Sequence, residues 1–133
     1  MLASRQLTIR LHHTDAAQLI FFPRLFELVQ EVLEDVMIER GASIGQRLEG
    51  DGPIMPIAHC EADYKRPLRL GDRVTVEMSC ERLGEKSISF GYRFVNAAGD
   101  EAAVARTVHV CMDRRTGRSL PLTEEMRQLG ETP

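Results

Sequence analysis

The run from Pro23 to Arg40 constrains the fold more than any other part of the chain. On a wheel of 100° per residue, Leu25, Phe26, Leu28, Val29, Val32, Leu33, Val36 and Met37 cover roughly half the circumference. Glu27, Gln30, Glu31, Glu34 and Asp35 cover most of the rest. A surface helix usually needs only ~100° of apolar stripe. The pattern therefore predicts a helix about 25 Å long that is buried on a broad face, as if a sheet curved around it. Proline suits its first position, because the N–H it lacks would be unpaired there anyway, and Gly41 is a natural stop.

The remainder of the chain supplies that sheet. Residues 5 to 12 alternate, with Leu7, Ile9 and Leu11 on one side and Thr8, Arg10 and His12 on the other, as in a half-buried strand. Four more strand-like stretches follow the helix. Ile54 to Lys65 carries Ala58, Cys60, Ala62 and Tyr64 on one face, and Asp72 to Arg82 carries Val74, Val76, Met78 and Cys80. Lys86 to Val95 carries Ile88, Phe90, Tyr92 and Phe94, and Glu101 to Asp113 carries Val104, Val108, Val110 and Met112. The breaks between them are short and bear glycine, proline or asparagine, which joins antiparallel neighbours. A short turn of helix is expected after Gly41, and a last short helix from Thr123 to Leu129. The expected architecture is α+β: one antiparallel sheet on one buried helix, in a single domain spanning residues 1–133.

Charge and composition narrow the function. Seventeen Lys and Arg against 20 Asp and Glu give a formal net charge of −3, so no basic excess drives binding to nucleic acid. The longest apolar run, Leu19-Ile20-Phe21-Phe22, is far short of the ~20 residues of a membrane helix. The first residues show no apolar h-region of a secretory signal. Cys60, Cys80 and Cys111 form no CxxC pair and are odd in number, which predicts reduced, mostly buried thiols in a cytoplasmic setting.

The loop before the long helix, His12 to Pro23, holds the residues best suited to chemistry. Asp15 is a lone acid in an apolar surround, seven residues before a helix start. Helix N-termini present unpaired N–H groups and partial positive charge, and so can polarise a carbonyl as an oxyanion hole does. A carboxylate beside such a carbonyl can serve as general base or nucleophile. Equally, an aspartate in a turn can simply bond the loop's own amides. A metal site from His12, His13 and Asp15 is not expected, since adjacent histidines on a strand point to opposite faces.

The segment Thr14-Asp15-Ala16-Ala17-Gln18-Leu19-Ile20-Phe21-Phe22-Pro23 resembles the D-x-x-G-h-h-[FY]-[YH]-P signature of the 4-hydroxybenzoyl-CoA thioesterase family, which has the hotdog fold. Tyr64-Lys65-Arg66-Pro67-Leu68-Arg69-Leu70-Gly71-Asp72 is similar to the family's Y-x-x-P-x-x-x-G-D turn, and the likeness continues through Gly84-Glu85-Lys86-Ser87 and Arg106 to Asp113. The resemblance implies a sheet of about five strands around one central helix, hydrolysis of an acyl-CoA thioester, no metal or cofactor, and an active site at the interface of a homodimer or homotetramer.

Residue by residue, the resemblance puts Asp15 on the catalytic aspartate and Phe22 on the residue whose backbone N–H holds the thioester carbonyl. Members often carry Tyr or His at the Phe22 position, and many carry Gly where Gln18 stands. Gln18, Phe21, Pro23 and His59 fall beside the substrate. Lys86 and Ser87 fall on a coenzyme A phosphate site, and Lys65 and Arg66 form a second basic pair for the nucleotide. Glu85 replaces a basic residue of some relatives. The helix contains no histidine, which disfavours a hotdog dehydratase, and retention of Asp15 argues against a non-catalytic acyl-CoA-binding protein. The strand patterns look most like members acting on aromatic acyl groups of the 4-hydroxybenzoyl- or 1,4-dihydroxy-2-naphthoyl-CoA type, with short or medium aliphatic acyl-CoA as the alternative.

Overall fold

The computed structural model describes residues 1–42 and 44–133, the side chains of Gln46 and Arg47 excepted. Its long helix, α1, runs Arg24–Glu39 with Pro23 at the cap. Leu25, Leu28, Val29, Val32, Leu33, Val36 and Met37 are all buried, as the broad apolar face requires. After α1 the chain turns at Gly41, in the left-handed region at φ +71°, where glycine carries no Cβ penalty. The Ala42 N–H then bonds the Met37 carbonyl at 2.8 Å, satisfying the helix end. A short helix, α2, spans Ile44–Glu49.

Five strands form one antiparallel sheet: β1 (Ala3–Thr8), β2 (Ile57–Tyr64), β3 (Arg73–Leu83), β4 (Ser87–Val95) and β5 (Glu101–Val110), in the order β1-β3-β4-β5-β2. The register puts Val76, Met78 and Cys80 of β3 beside Phe94, Tyr92 and Phe90 of β4, and these in turn beside Ala103, Ala105 and Thr107 of β5. This is the face that α1 covers. Ala103 and Ala105 are small where the helix must come close, and both are buried. The opposite face carries ion pairs, such as Glu77–Arg93–Glu101 and Glu81–Arg106–Glu61. Glu81 reaches Arg106 across Gly91, where a Cβ would lie 2.4 Å from the Glu81 carboxylate. The last helix, α3 (Glu124–Gln128), is capped by Thr123 and tied to the end of α1 through Arg40, which donates to the Gln128 and Glu131 carbonyls.

Three sequence expectations are corrected. The first strand stops at Thr8, and Leu11–His13 is instead one turn of 3-10 helix, so the His12 and His13 rings lie side by side, centroids 4.0 Å apart and tilted by 52°, rather than pointing apart. The second strand begins at Ile57 rather than Ile54, because Pro56 has no N–H to give a ladder, and Ala58 is a bulge. Cys60 is exposed, and only Cys111 of the three cysteines is fully buried. The cause is topological: β2 is a sheet edge with β5 on one side only, and nearly all of it is exposed.

Candidate active site

Residues Thr14 to Ile20 form a closed loop at the start of α1. Thr14 and Ile20 face each other as an antiparallel bridge, and the Asp15 N–H bonds the Leu19 carbonyl at 3.0 Å. The Gln18 N–H bonds the Asp15 carbonyl at 2.9 Å, and Gln18 itself has φ +63°. This is a three-residue hairpin loop with its last residue left-handed, a position that glycine fills best. The loop leans on the Pro67–Gly71 turn: Ile20 N–H to the Leu68 carbonyl at 2.8 Å, and Leu70 N–H to the Gln18 carbonyl at 3.0 Å. The two stretches singled out in the sequence thus hold each other in place.

Within this loop Asp15 is exposed, and its Oδ1 accepts the Ala17 N–H at 2.9 Å. No other donor among the described residues bonds the carboxylate. The turn-forming role and an acid–base role are therefore compatible: one oxygen fixes the side chain and the other stays available.

The helix start leaves one donor. Arg24, Leu25 and Phe26 N–H groups bond back to the Phe21, Phe22 and Pro23 carbonyls at 2.8, 3.4 and 3.1 Å. Pro23 has no N–H, and the Phe21 N–H is taken by the His13 carbonyl at 2.9 Å. Among the described residues, the Phe22 N–H alone of these bonds no protein acceptor. The following peptide is fixed from the sheet side, where the Tyr64 hydroxyl donates to the Phe22 carbonyl. Burial raises the Tyr64 pKa above its ordinary value, so it stays protonated and able to donate. Tyr64 was legible as part of a turn motif but not as an anchor, since the contact joins residues 42 apart.

Around this point lies an open groove of about 390 Å³ lined by Leu19, Ile20, Phe22, Tyr64, Lys65 and Arg66, with Pro67 and Leu68 beneath. Phe21 and Phe22 are exposed and meet edge to face at 5.5 Å. The nearby cations are already engaged. Lys65 pairs with the Glu101 carboxylate, and Arg66 donates to the Glu101 carbonyl at 2.6 Å. Hydrogen bonds from Lys65 and Arg93 lower the Glu101 pKa, so the pair is charged on both sides.

Lys86 and Ser87 are elsewhere. Ser87 pairs with Val110, and the Cys111 N–H bonds the Lys86 carbonyl, which puts both residues at the Ile57 end of the sheet. The groove is at the Tyr64 end. Eight residues of β2 separate the two ends, about 23 Å at 3.3 Å per step. Within one protomer the two basic groups therefore do not meet. His59 lies on the outer face of β2, 3.6 Å from the Glu61 carboxylate, with Val108 opposite.

At that Ile57 end a second cavity of about 310 Å³ opens between α1, α2 and the edge strand. It is lined by aliphatic side chains, including Leu33, Met37, Ile54 and Ile57, with Gln30 and His109 as its polar members. His109 is buried, bonded to the Thr107 hydroxyl at 3.0 Å, and edge-on to Phe90. Burial pushes its pKa down, so the ring is neutral. The resemblance points to His59 beside the substrate, but within one protomer it is His109 that the strand pairing places on the helix side, in the cavity wall. Among the described residues no cluster of three or more His, Cys, Asp or Glu is arranged to hold a metal ion.

The sequence profile of the thioesterase-like superfamily matches residues 8–129. The 1,4-dihydroxy-2-naphthoyl-CoA hydrolase of Synechococcus elongatus is 32% identical over 123 residues, covering 92% of this chain and 90% of the relative. That of Thermosynechococcus vestitus is 29% identical over 121 residues, covering 91% and 83%. Among solved structures, a 1,4-dihydroxy-2-naphthoyl-CoA thioesterase from Synechocystis superposes with a TM-score of 0.89 at 20% identity, covering 95% of this chain and 93% of that one. A gentisyl-coenzyme A thioesterase superposes with a TM-score of 0.84 at 20% identity, covering 97% and 100%. At that identity the two structures speak to the hotdog fold.

Proposed function

The chain belongs to the thioesterase-like superfamily, and from that premise we propose that it hydrolyses an aromatic acyl-CoA thioester to the free acid and coenzyme A at the start of α1. The observation that carries the reading is the Phe22 N–H, which among the described residues is left without an acceptor at the head of a 16-residue helix. A thioester oxygen set there receives a hydrogen bond and the positive end of the helix dipole, and both strengthen as that oxygen gains charge. Asp15 supplies the base or nucleophile. Its carboxylate either takes a proton from the attacking water or attacks the carbonyl carbon itself, forming an anhydride that water then opens. In both routes the C–S bond breaks and coenzyme A leaves as the thiolate.

One protomer holds only part of such a site, and a homodimer, alone or doubled in a tetramer, supplies the rest. The free edge of β2 pairs with a second copy about a two-fold axis, as an isologous contact requires. Antiparallel pairing of two identical strands sets the Tyr64 end of one against the Ile57 end of the other. That brings the partner's apolar cavity, with its copies of Lys86 and Ser87, to the helix start of the first protomer. Gln18, Phe21 and Pro23 then border the acyl group, the cavity houses its ring, and Lys65, Arg66, Lys86 and Ser87 line the path of the coenzyme A phosphates. The setting is cytoplasmic, in keeping with an exposed, unpaired Cys60 thiol.

The relatives named for 1,4-dihydroxy-2-naphthoyl-CoA support the aromatic acyl group. One feature favours a second reading, a short or medium aliphatic chain: the cavity is walled by aliphatic side chains. The test is release of free thiol from a panel of acyl-CoA esters. The proposal expects the highest kcat/KM on hydroxylated aromatic esters. Preference for hexanoyl- or octanoyl-CoA establishes the second reading, and no hydrolysis of any ester overturns both.

A further inference from the structure

We propose that His13 is a positioning residue for this reaction: its neutral ring and its carbonyl tie the end of β1 to the start of α1, and so set Asp15 and the Phe22 N–H relative to each other. The inference rests on the thioesterase reading for its consequences in catalysis, but not for the contacts behind it.

His13 is 6% exposed and is held from three directions. Its Nδ1 accepts the Arg10 N–H at 2.8 Å, while its own N–H donates to the Arg10 carbonyl at 2.9 Å, which closes the 3-10 turn. Its carbonyl accepts the Phe21 N–H at 2.9 Å. The last bond closes the base of the Thr14–Ile20 loop. Asp15 is two residues beyond His13 on one side, and Phe22 one residue beyond Phe21 on the other. A shift of His13 therefore moves the carboxylate and the carbonyl-binding N–H together, and misplacement by about 1 Å can cost ~10²-fold in rate.

The ring must be unprotonated at Nδ1 to do this, so its proton is on Nε2. Adding a second proton turns the acceptor into a donor that faces the Arg10 N–H. Burial is the main influence holding the His13 pKa below the ordinary imidazole value; His12, Arg10 and Arg24 act in the same sense and Glu27 opposes them. The ring is thus neutral at pH 7, and the tie opens only as pH falls below the ordinary imidazole range.

Two substitutions separate this role from mere packing. Asn at position 13 places Oδ1 the same number of bonds from Cα as Nδ1, so it can accept the Arg10 N–H, and it does not titrate. Leu fills the site and accepts nothing. At pH 7.5 and well below the melting temperature, His13→Asn should keep kcat within about threefold, and His13→Leu should lose about 10–100-fold in kcat with little change in KM. Wild type should lose activity at a higher pH than His13→Asn on the acid side. In amide spectra of the free protein, the Phe21 and Phe22 resonances should titrate with the His13 ring in wild type and not in His13→Asn. A folded His13→Leu with wild-type kcat overturns the proposal. So does a His13→Asn as impaired as His13→Leu, coincident acid limbs, or Phe21 and Phe22 amides that ignore the ring. If the amides follow the ring but wild type hydrolyses no acyl-CoA, the thioesterase reading fails and the tie stands without its catalytic role.

Discussion

Replacing Gln18 by glycine should stabilise the protein. Gln18 has φ +63°, and its side chain is exposed and makes no hydrogen bond among the described residues. A Cβ in the left-handed region costs about 1–2 kcal/mol. Glycine removes that cost but has more freedom to lose on folding, which returns about 0.5–1 kcal/mol. The backbone bonds that hold the position, Gln18 N–H to Asp15 and Leu70 N–H to Gln18, do not depend on the side chain. The net is a gain of about 0.5–1 kcal/mol, or a rise in Tm of about 2–4 °C for a chain of 133 residues. Urea and thermal melts of wild type, Gln18→Gly and Gln18→Ala measure it. Alanine keeps the Cβ and should show little of the gain, so the difference between the two variants isolates the backbone conformation. A Gln18→Gly that melts below wild type refutes the reasoning, because the amide side chain would then be making a contact worth more than the strain.

Lys86→Ala should raise KM a few-fold and leave kcat nearly unchanged, less so as salt increases, because Lys86 is exposed and a remote phosphate is held alike in ground and transition states. Pantetheine esters should not distinguish it from wild type. Light scattering should give at least twice the 15.0 kDa of one chain, and an active monomer would contradict the paired site. Mixing Asp15→Asn with Gln30→Trp, which blocks the cavity, should restore about a quarter of wild-type activity. Random exchange makes half the dimers mixed, each with one intact site. No restoration would place loop and cavity of one chain in the same site.

The helix was legible because Pro23 and the half-circle of apolar residues leave α1 few alternatives. The strand faces of β3 and β4 followed from alternation, which burial enforces, but in β5 the face read from Val104, Val108 and Val110 is the outer one, and Ala103, Ala105, Thr107 and His109 are buried instead. What escaped depends on partners far away in sequence. The alternation of Leu7, Ile9 and Leu11 runs past the real end of β1, since nothing local marks where Gly71 and Asp72 turn the ladder away. The bulge at Ala58 and the exposure of Cys60 belong to an edge strand that pairs on one side only, which no local pattern marks. The Asp15 loop and the role of the Phe22 N–H were both suggested by resemblance, but that this N–H has no acceptor among the described residues follows from where the Phe21 and Arg24 bonds go. The distance between Lys65 and Lys86 needed the strand order.

Asp15→Asn tests the central claim most directly. Asparagine keeps an Oδ1 to accept the Ala17 N–H, so the loop is preserved while the charge and basicity are removed. Measured as free-thiol release at saturating aromatic acyl-CoA, kcat should fall by about 10² or more, with KM little changed and the melting temperature close to wild type. A folded Asp15→Asn enzyme with near wild-type kcat would contradict the account, because the helix start alone would then be sufficient and Asp15 would be only a turn residue.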